Sequence, residues 1–372
     1  MIYFDAGATT LQKPPEVAAA MVNAMENYAS PGRGGHRPAM DAAEAVFACR
    51  DLAGRLFDTG PENVVFTMNA THALNIAIRT LVHPGDRVVI SGFEHNAVTR
   101  PLHYIGADTV IAGRRLFDME DTLAEFDRAV TAETKAVICT HVSNVFGDVL
   151  PIGEIAALCR EKQIPLIVDA SQSAGILPLD AEALGADFIA MPGHKGLYGP
   201  QGTGVLLVRE GVAVRPLLHG GTGILSKEPL MPTALPERLE AGTQNVAGVA
   251  GLLEGVRYVA GQKDRIRHYE RELLDLTAER LSAMRRVRIF YTPDPERQAA
   301  VLSFTVAGEE SETVASYLAE QGVAVRAGLH CAPTAHETVG TGSGGTVRVS
   351  FSRFNTRREC MNFLKILGKK YA

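Results

Sequence analysis

The stretch Gly193-His194-Lys195-Gly196-Leu197-Tyr198-Gly199-Pro200 stands between two apolar runs, Asp187-Phe188-Ile189-Ala190-Met191 before it and Gly204-Val205-Leu206-Leu207-Val208 after it. Runs of this length without polar alternation read as strands buried on both faces. The turn between them is rich in Gly and Pro, and it carries a lysine. A lysine is almost never fully buried unless something compensates its ammonium. Two readings are open on the octapeptide alone. One is a solvated turn lysine; the other is an amine tied up as an imine with an aldehyde cofactor.

Segments of the same apolar kind recur on the N-terminal side, at 64–67, 87–91, 109–112, 136–140 and 165–169. Helical apolar spacing fills 16–28, 40–57, 73–81 and 152–163, and a glycine- and arginine-rich loop spans 30–38. Strands alternating with helices predict an α/β fold around a mostly parallel sheet. In such sheets chemistry gathers beyond the carboxyl ends of the strands. Thr71, His95, Asn144, Asp169 and Lys195 all lie at or just past such ends. Beyond them, 217–241 is Gly/Pro-rich and irregular, and 248–284 reads as a long, broken helical segment. Strands at 287–291, 299–306, 323–326 and 346–352, with helices at 311–321 and 356–367, then predict a smaller α+β unit.

Composition narrows the function classes. The 372 residues are 46% hydrophobic and 21% charged, with a net charge of −5 and no long single-sign run, so nothing recommends nucleic acid or an anionic membrane as partner. No stretch approaches the roughly 20 apolar residues of a membrane span. Met1 leads straight into Ile2-Tyr3-Phe4-Asp5 without the pattern of a signal peptide. Five scattered cysteines make neither a disulfide framework nor a metal pattern, and a reducing cytoplasm is the expected location.

Asp169 ends the most apolar strand, in Leu166-Ile167-Val168-Asp169-Ala170-Ser171-Gln172. It either caps a following helix or faces a cationic ring nitrogen, holding it protonated so that the ring serves as an electron sink. Gln172 shares that turn and is placed to donate to a ring hydroxyl oxygen. An aspartate at a strand end with a lysine 26 residues further on suits a pyridoxal-phosphate enzyme. Ala70-Thr71 sits at a strand-to-helix junction, either an ordinary cap or an anion site built from backbone N–H groups and a hydroxyl. His95 is either an incidental loop histidine or a ring that stacks on a planar cofactor; Asn144 is by itself a turn residue. Cys331, in Arg326-Ala327-Gly328-Leu329-His330-Cys331-Ala332-Pro333, differs from Cys139 and Cys159, which sit in apolar segments. It is carried on a loop near Arg326 and His330, where positive neighbours raise the thiolate fraction, and a glycine-rich stretch, 338–346, follows. Arg348, in an apolar strand, is either half of an internal salt bridge or a clamp for a substrate carboxylate.

In order along the chain, these residues resemble the class V aminotransferase family of fold-type I pyridoxal-phosphate enzymes, and within it the cysteine desulfurases of the group II kind. The resemblance rests on Asp5-Ala6-Gly7-Ala8-Thr9-Thr10, Ala70-Thr71, Glu94-His95, Ser143-Asn144, Asp169 to Gln172, Gly193-His194-Lys195, Gly242-Thr243, His330-Cys331 and Arg348. It implies a seven-stranded sheet in a large cofactor-binding domain, residues 15–250. A small α+β domain, 1–14 plus 251–372, would carry the nucleophilic cysteine and substrate arginine. Lys195 would hold pyridoxal 5'-phosphate, Asp169 the ring nitrogen, and Gln172 and Asn144 the ring hydroxyl. His95 would stack on the ring, and Ala70, Thr71 and His194 would bind the phosphate. Thr243 would reach the phosphate of a neighbouring subunit, implying a homodimer. Arg348, with Asn144, would bind the substrate, and Cys331 would accept sulfur from L-cysteine, releasing L-alanine and passing the sulfur to an acceptor protein. L-Selenocysteine as substrate, transamination, and a sulfur-trafficking scaffold with little turnover are the rival expectations. Pro192 stands where a hydroxyl is expected, Gly196 is an extra residue, and Leu329 replaces one histidine of a pair.

Overall fold

The computed structural model describes residues 1–32 and 34–371; Arg33, inside the glycine- and arginine-rich loop, lies outside the described residues. Seven strands form the main sheet in the spatial order Val64–Thr67, Gly204–Val208, Phe188–Pro192, Leu166–Asp169, Thr134–Thr140, Arg87–Ser91 and Asp108–Ala112. Gly204–Val208 runs antiparallel to both its neighbours, and the other pairings are parallel. The exception follows from the connection: the Lys195 turn reverses the chain directly, whereas a parallel neighbour needs a longer crossover.

Period-2 alternation sorts the strand residues between two cores. Val89, Val137, Val168, Ile189 and Leu207 pack on one face, under the helices Arg37–Leu56 and Val246–Ala260. Ile90, Ile138, Ile167, Ala190 and Leu206 pack on the other, under Ala70–Leu81 and Asn96–Ile105. Each large apolar side chain so buried contributes about 1.5–3 kcal/mol, which fixes the strand ends on which the site is built.

The C-terminal region forms a four-stranded antiparallel sheet, ordered Arg326–Gly328, Thr346–Ser350, Val301–Val306 and Val287–Phe290. Ile2–Tyr3 pairs in parallel with Val323–Ala324, and Phe4 joins the core of Leu302, Phe304 and Phe363. The first residues of the chain therefore pack with the last hundred.

Several expectations change. The stretch 323–326, read as one strand, divides between two sheets, Val323–Ala324 in one and Arg326–Gly328 in the other. The long helical segment is two helices, Val246–Ala260 and Lys263–Ser282, parted at Gly261-Gln262. Asn96–Ile105 and Met119–Ala129 are helices that the sequence reading left unassigned. Among the described residues, no helix is long and apolar enough to cross a membrane, and no cluster of side chains could hold a metal ion.

Candidate active site

The strand ends converge on a cavity of about 200 Å3 lined by His95, Asn144, Asp169, Gln172, Lys195, Arg326 and Arg348. The Lys195 turn crosses its floor. Burial lowers the Lys195 amine to about 8, with Arg348 and Arg326 acting in the same direction and Asp169 opposing them. Its Nζ takes part in no hydrogen bond or salt bridge among the described residues, so the amine is free toward the cavity. Gly196 is required by close approach, since a Cβ there would clash with the Ala174 carbonyl oxygen.

Asp169 is buried, and its Oδ1 accepts hydrogen bonds from the backbone N–H (2.9 Å) and hydroxyl of Ser171. Oδ2 has no protein partner among the described residues. Beside it the wholly buried Glu94 accepts from Ser91 Oγ (2.6 Å) and the Thr140 N–H (2.7 Å). Burial pushes the Glu94 carboxyl up to about 8 against those hydrogen bonds, and the Asp169 charge adds to the rise. Glu94 is therefore mostly protonated, and so uncharged, at neutral pH. His95 Nδ1 accepts from the Ala97 N–H (3.0 Å), capping the helix Asn96–Ile105, so the neutral ring carries its proton on Nε2. Burial lowers His95 to about 4, Asp169 opposing.

At one end of the cavity the helix Ala70–Leu81 begins. Asn69 caps it by accepting from the His72 N–H (2.9 Å), which leaves the Ala70 and Thr71 N–H groups and the Thr71 hydroxyl without partners among the described residues. The positive end of the helix dipole lies there too. His194 closes the cup, its Nδ1 lying 3.0 Å from Thr9 Oγ1. Burial lowers His194 to about 4, with Lys195 and Lys13 contributing, so this ring acts as a neutral hydrogen-bonding group rather than as a cation. Pro192 completes the strand end without a hydroxyl, and Thr9 is the hydroxyl beside His194.

The opposite wall comes from the small sheet. Arg348 is fully buried: Nη2 donates to Asp5 Oδ1 (2.7 Å) and Nη1 to the Asn144 carbonyl oxygen (2.8 Å). The internal salt bridge weighed for this arginine is present, with an aspartate at the other end of the chain. Asn144 Nδ2 donates to the His330 carbonyl oxygen (2.8 Å), while its buried Oδ1 has no partner. Gln172 Nε2 donates to the Gly7 carbonyl oxygen (2.9 Å), so one of its N–H groups is already committed to the N-terminal loop.

Cys331 is the exposed one of the five free cysteines. Arg326 Nη2 lies 3.4 Å from its Sγ, and the Asn96 N–H donates to its carbonyl oxygen at 2.7 Å. His330 and Cys331 both adopt left-handed backbone, with φ of +52° and +57°. That conformation is uncommon for non-glycine residues, and here it turns the thiol outward. His330 supplies no positive charge. Its ring is buried, stacked on His336, and held near 2 by burial first and by Arg348 next, which leaves Arg326 as the cation at the thiol. The glycine-rich stretch is separated from Cys331 by the helix Pro333–Val339, which Thr338 ties to the Gly92 carbonyl oxygen (3.0 Å).

Thr243 is absent from the lining of this cavity. It borders a larger one of about 450 Å3 between the helix Arg37–Leu56 and the segment around Thr222 to Gln244. The charged groups deepest in that cavity, Arg50 and Glu240, already satisfy one another, so convergent free polar groups mark the smaller cavity as the chemical one. Sequence reasoning did not assign Asp5, Thr9, Ser171 or Glu94 to the site. Arg326 entered it only as a neighbour of the cysteine.

Pyridoxal 5'-phosphate fits this donor set. A free amine shares the cavity with an aspartate that has one unused oxygen, a buried Asn144 Oδ1 lacks a partner, and a helix N-terminus has unpartnered N–H groups. Each is a polar group that a planar, phosphorylated pyridinium aldehyde would satisfy.

Comparison with known proteins agrees with this chemistry. The family described as aminotransferase class-V matches residues 2–363. The chain is 35% identical to a probable cysteine desulfurase of Mycolicibacterium paratuberculosis, over 99% of this chain and 55% of that longer protein. It is 32% identical to another from Methanothermobacter thermautotrophicus, over 99% of this chain and 93% of that one. Among solved structures, the apo cysteine desulfurase of Thermococcus onnurineus NA1 superposes with a TM-score of 0.90 at 31% identity, over 99% of this chain and 94% of that one. The cysteine desulfurase CsdA of Escherichia coli superposes at 0.86 with 26% identity, over 99% and 94%. A buried strand-end aspartate and a free turn lysine, in a chain matched nearly end to end, thus place this protein in the aminotransferase class-V family.

Proposed function

We propose that the chain is a pyridoxal 5'-phosphate-dependent cysteine desulfurase of the group II kind, converting L-cysteine to L-alanine and leaving the sulfur as a persulfide on Cys331. The observation that carries this reading is an exposed thiol against Arg326, which itself lines the cavity holding the free Lys195 amine. A transaminase has no use for such a thiol, and a scaffold has no use for a lysine with a lowered pKa.

Lys195 holds the cofactor, Asp169 its ring nitrogen, and His95 a ring face. Asn144 and Gln172 take the ring hydroxyl, and Ala70, Thr71 and His194 the phosphate. When bound, the cofactor supplies an electron sink for the substrate's α-carbon. Lys195 moves the α-proton, as an amine lowered to about 8 is suited to do near neutral pH. Arg348, oriented by Asp5, receives the substrate carboxylate together with Asn144. Cys331 Sγ forms a bond to the substrate sulfur as the carbon–sulfur bond breaks. The carbon keeps the electron pair and is protonated, so cysteine plus enzyme thiol becomes alanine plus enzyme persulfide.

The two-domain division at 15–250 and 1–14 plus 251–372 accompanies this reading. Its support is the shared core of Phe4 with the C-terminal strands. A homodimer accompanies it as well, with Thr243 serving the partner's phosphate, which suits an exposed Thr243 away from its own cavity. A reducing cytoplasm suits five unpaired cysteines, and a sulfur-acceptor protein would take the persulfide from the exposed Cys331. The test is incubation of purified protein with L-cysteine and reductant, assaying sulfide and alanine together. Equimolar products support the reading, and pyruvate or keto-acid-dependent turnover would replace it. Running L-selenocysteine in parallel on wild type and Cys331→Ser separates a selenocysteine lyase, which would turn over without the thiol.

A further inference from the structure

The segment from Glu240 to Gln244 is pinned at both ends by a single carboxylate. Glu240 Oε1 accepts from Arg50 Nη1 (2.8 Å) and from the Phe66 N–H (2.6 Å). Oε2 accepts from Arg50 Nη2 (2.9 Å) and from Gln244 Nε2. Both side chains of the ion pair are more than nine-tenths buried, at 8% and 5% exposure. Arg50 also donates to the Val64 carbonyl oxygen, and its guanidinium lies 4.5 Å over the Phe66 ring. The carboxylate is thereby fastened to the edge strand Val64–Thr67 and to the helix Arg37–Leu56. Immediately after the loop, Asn245 caps the helix Val246–Ala260 through the Gly248 N–H (3.0 Å). Between these fixed points Gly242 takes a φ of +97°, its N–H donating to the Gly221 carbonyl oxygen (2.8 Å), and Thr243 is turned outward and exposed.

A buried bidentate ion pair is a costly device for holding a surface turn, because each ion must be taken out of water. Its return here is geometric, since it closes a short loop whose outermost side chain is Thr243. We infer that Arg50, Glu240 and Gln244 are positioning residues that fix Thr243 for the phosphate group of pyridoxal 5'-phosphate bound in the partner subunit. This rests on the reading of Thr243 and the homodimer given above. The clamp acts on cofactor retention rather than on L-cysteine, because nothing in it reaches the cavity that contains Lys195.

The experiment titrates apoprotein with pyridoxal 5'-phosphate, following the change in absorbance. Three proteins are compared: wild type, Thr243→Ala and Gln244→Ala. The last unties one end of the loop and leaves the buried ion pair intact. Both variants are expected to need about tenfold more cofactor for half-saturation, each such step being a tenfold change in dissociation constant. At saturating cofactor the KM of Gln244→Ala for L-cysteine should equal the wild-type value, which general loosening of the fold would not preserve. If Thr243→Ala weakens retention and Gln244→Ala does not, the clamp is refuted while the reading of Thr243 stands. If Thr243→Ala binds cofactor like wild type, the underlying reading fails and the clamp with it. A mixed dimer supplies the last arm, pairing Gln244→Ala subunits with clamp-intact Lys195→Ala subunits. Its remaining Lys195 site should regain wild-type half-saturation, and a site that stays weak would overturn action across the subunit boundary.

Discussion

The two walls of the cavity are held in different ways. The wall from the large sheet places Asp169, Glu94 and the Lys195 turn on strand ends whose alternate residues are locked in two apolar cores. Its hydrogen bonds join near neighbours or adjacent strands: Ser171 to Asp169, two residues apart, Ser91 to Glu94, three apart, and the Thr140 N–H to Glu94 from the strand paired beside it. The wall from the small sheet is held by links between distant parts of the chain. Arg348 reaches Asp5 across 343 residues, and Asn144 reaches the His330 carbonyl oxygen across 186. Only two residues separate Cys331 from the Arg326–Gly328 strand, and it sits on left-handed backbone. On the proposed function the difference is apt: strand ends would hold a cofactor rigidly, and a thiol that must approach a substrate and then present its sulfur elsewhere is better carried on a strained turn at the edge.

The difference can be broken first at its strongest point. Lys195→Ala should abolish the cofactor's yellow absorbance and lower alanine formation by at least about 10^3-fold, as loss of a covalent anchor and proton carrier does. Cys331→Ser should keep the absorbance and melting temperature of wild type while alanine formation from L-cysteine falls by about 10^2-fold or more. A serine variant with wild-type alanine release would show that the edge wall is not where the sulfur goes. A Lys195→Ala protein that stays yellow would undo the assignment of the floor.

Legibility divides along the same line. The strands of the large sheet were readable because apolar runs buried on both faces leave a signal in five or so consecutive residues. That Lys195, Asp169 and the helix start at Ala70-Thr71 meet in one cavity followed from their places at strand ends. The helix Asn96–Ile105 escaped because Pro101 interrupts its pattern, and Met119–Ala129 because its acidic first turn obscures its apolar stripe. The partner of Arg348 could not be read at all, since no periodicity joins residue 5 to residue 348. The division of 323–326 between two sheets is likewise a tertiary result, because Val323–Ala324 is claimed by the N-terminal strand.

That unreadable pairing yields the third test. Asp5→Asn keeps the shape of the contact but removes the charge opposite a fully buried guanidinium. Breaking a buried pair leaves an uncompensated ion and costs about 3–5 kcal/mol; with Asp5 at 21% exposure, water offsets part of that and the lower end is expected. The KM for L-cysteine should rise about tenfold as Arg348 loses its orientation. Cofactor absorbance should not change, because the pair belongs to the edge wall. A variant with normal KM and altered absorbance would mean that the two walls are not separable.

The smallest effect probes the large-sheet wall through pH. Folded Glu94 titrates at about 8 against 4.5 for an ordinary glutamate, so the folded state holds a proton that the unfolded chain releases. Its contribution is fully present below 4.5 and is lost as pH rises toward 8. The buried Glu270, raised to about 8, and Asp148, raised to about 7, act with the same sign. The buried histidines act oppositely: His141 and His95, both lowered to about 4, cost stability only as pH falls below 6.5. Between pH 6.5 and 8 these histidines are therefore silent; Lys13, lowered to about 8 by burial, opposes the acids only near the top of the window, and the acids set the slope. In that window the holoenzyme, with Lys195 occupied by the cofactor, should lose melting temperature as pH rises. Glu94→Gln keeps an acceptor for Ser91 and Thr140, places an amide where Oε2 lacks a partner, and removes the titration. Its loss across the window should be smaller by roughly 2–4 °C. Parallel curves would mean that Glu94 is already ionised in the fold.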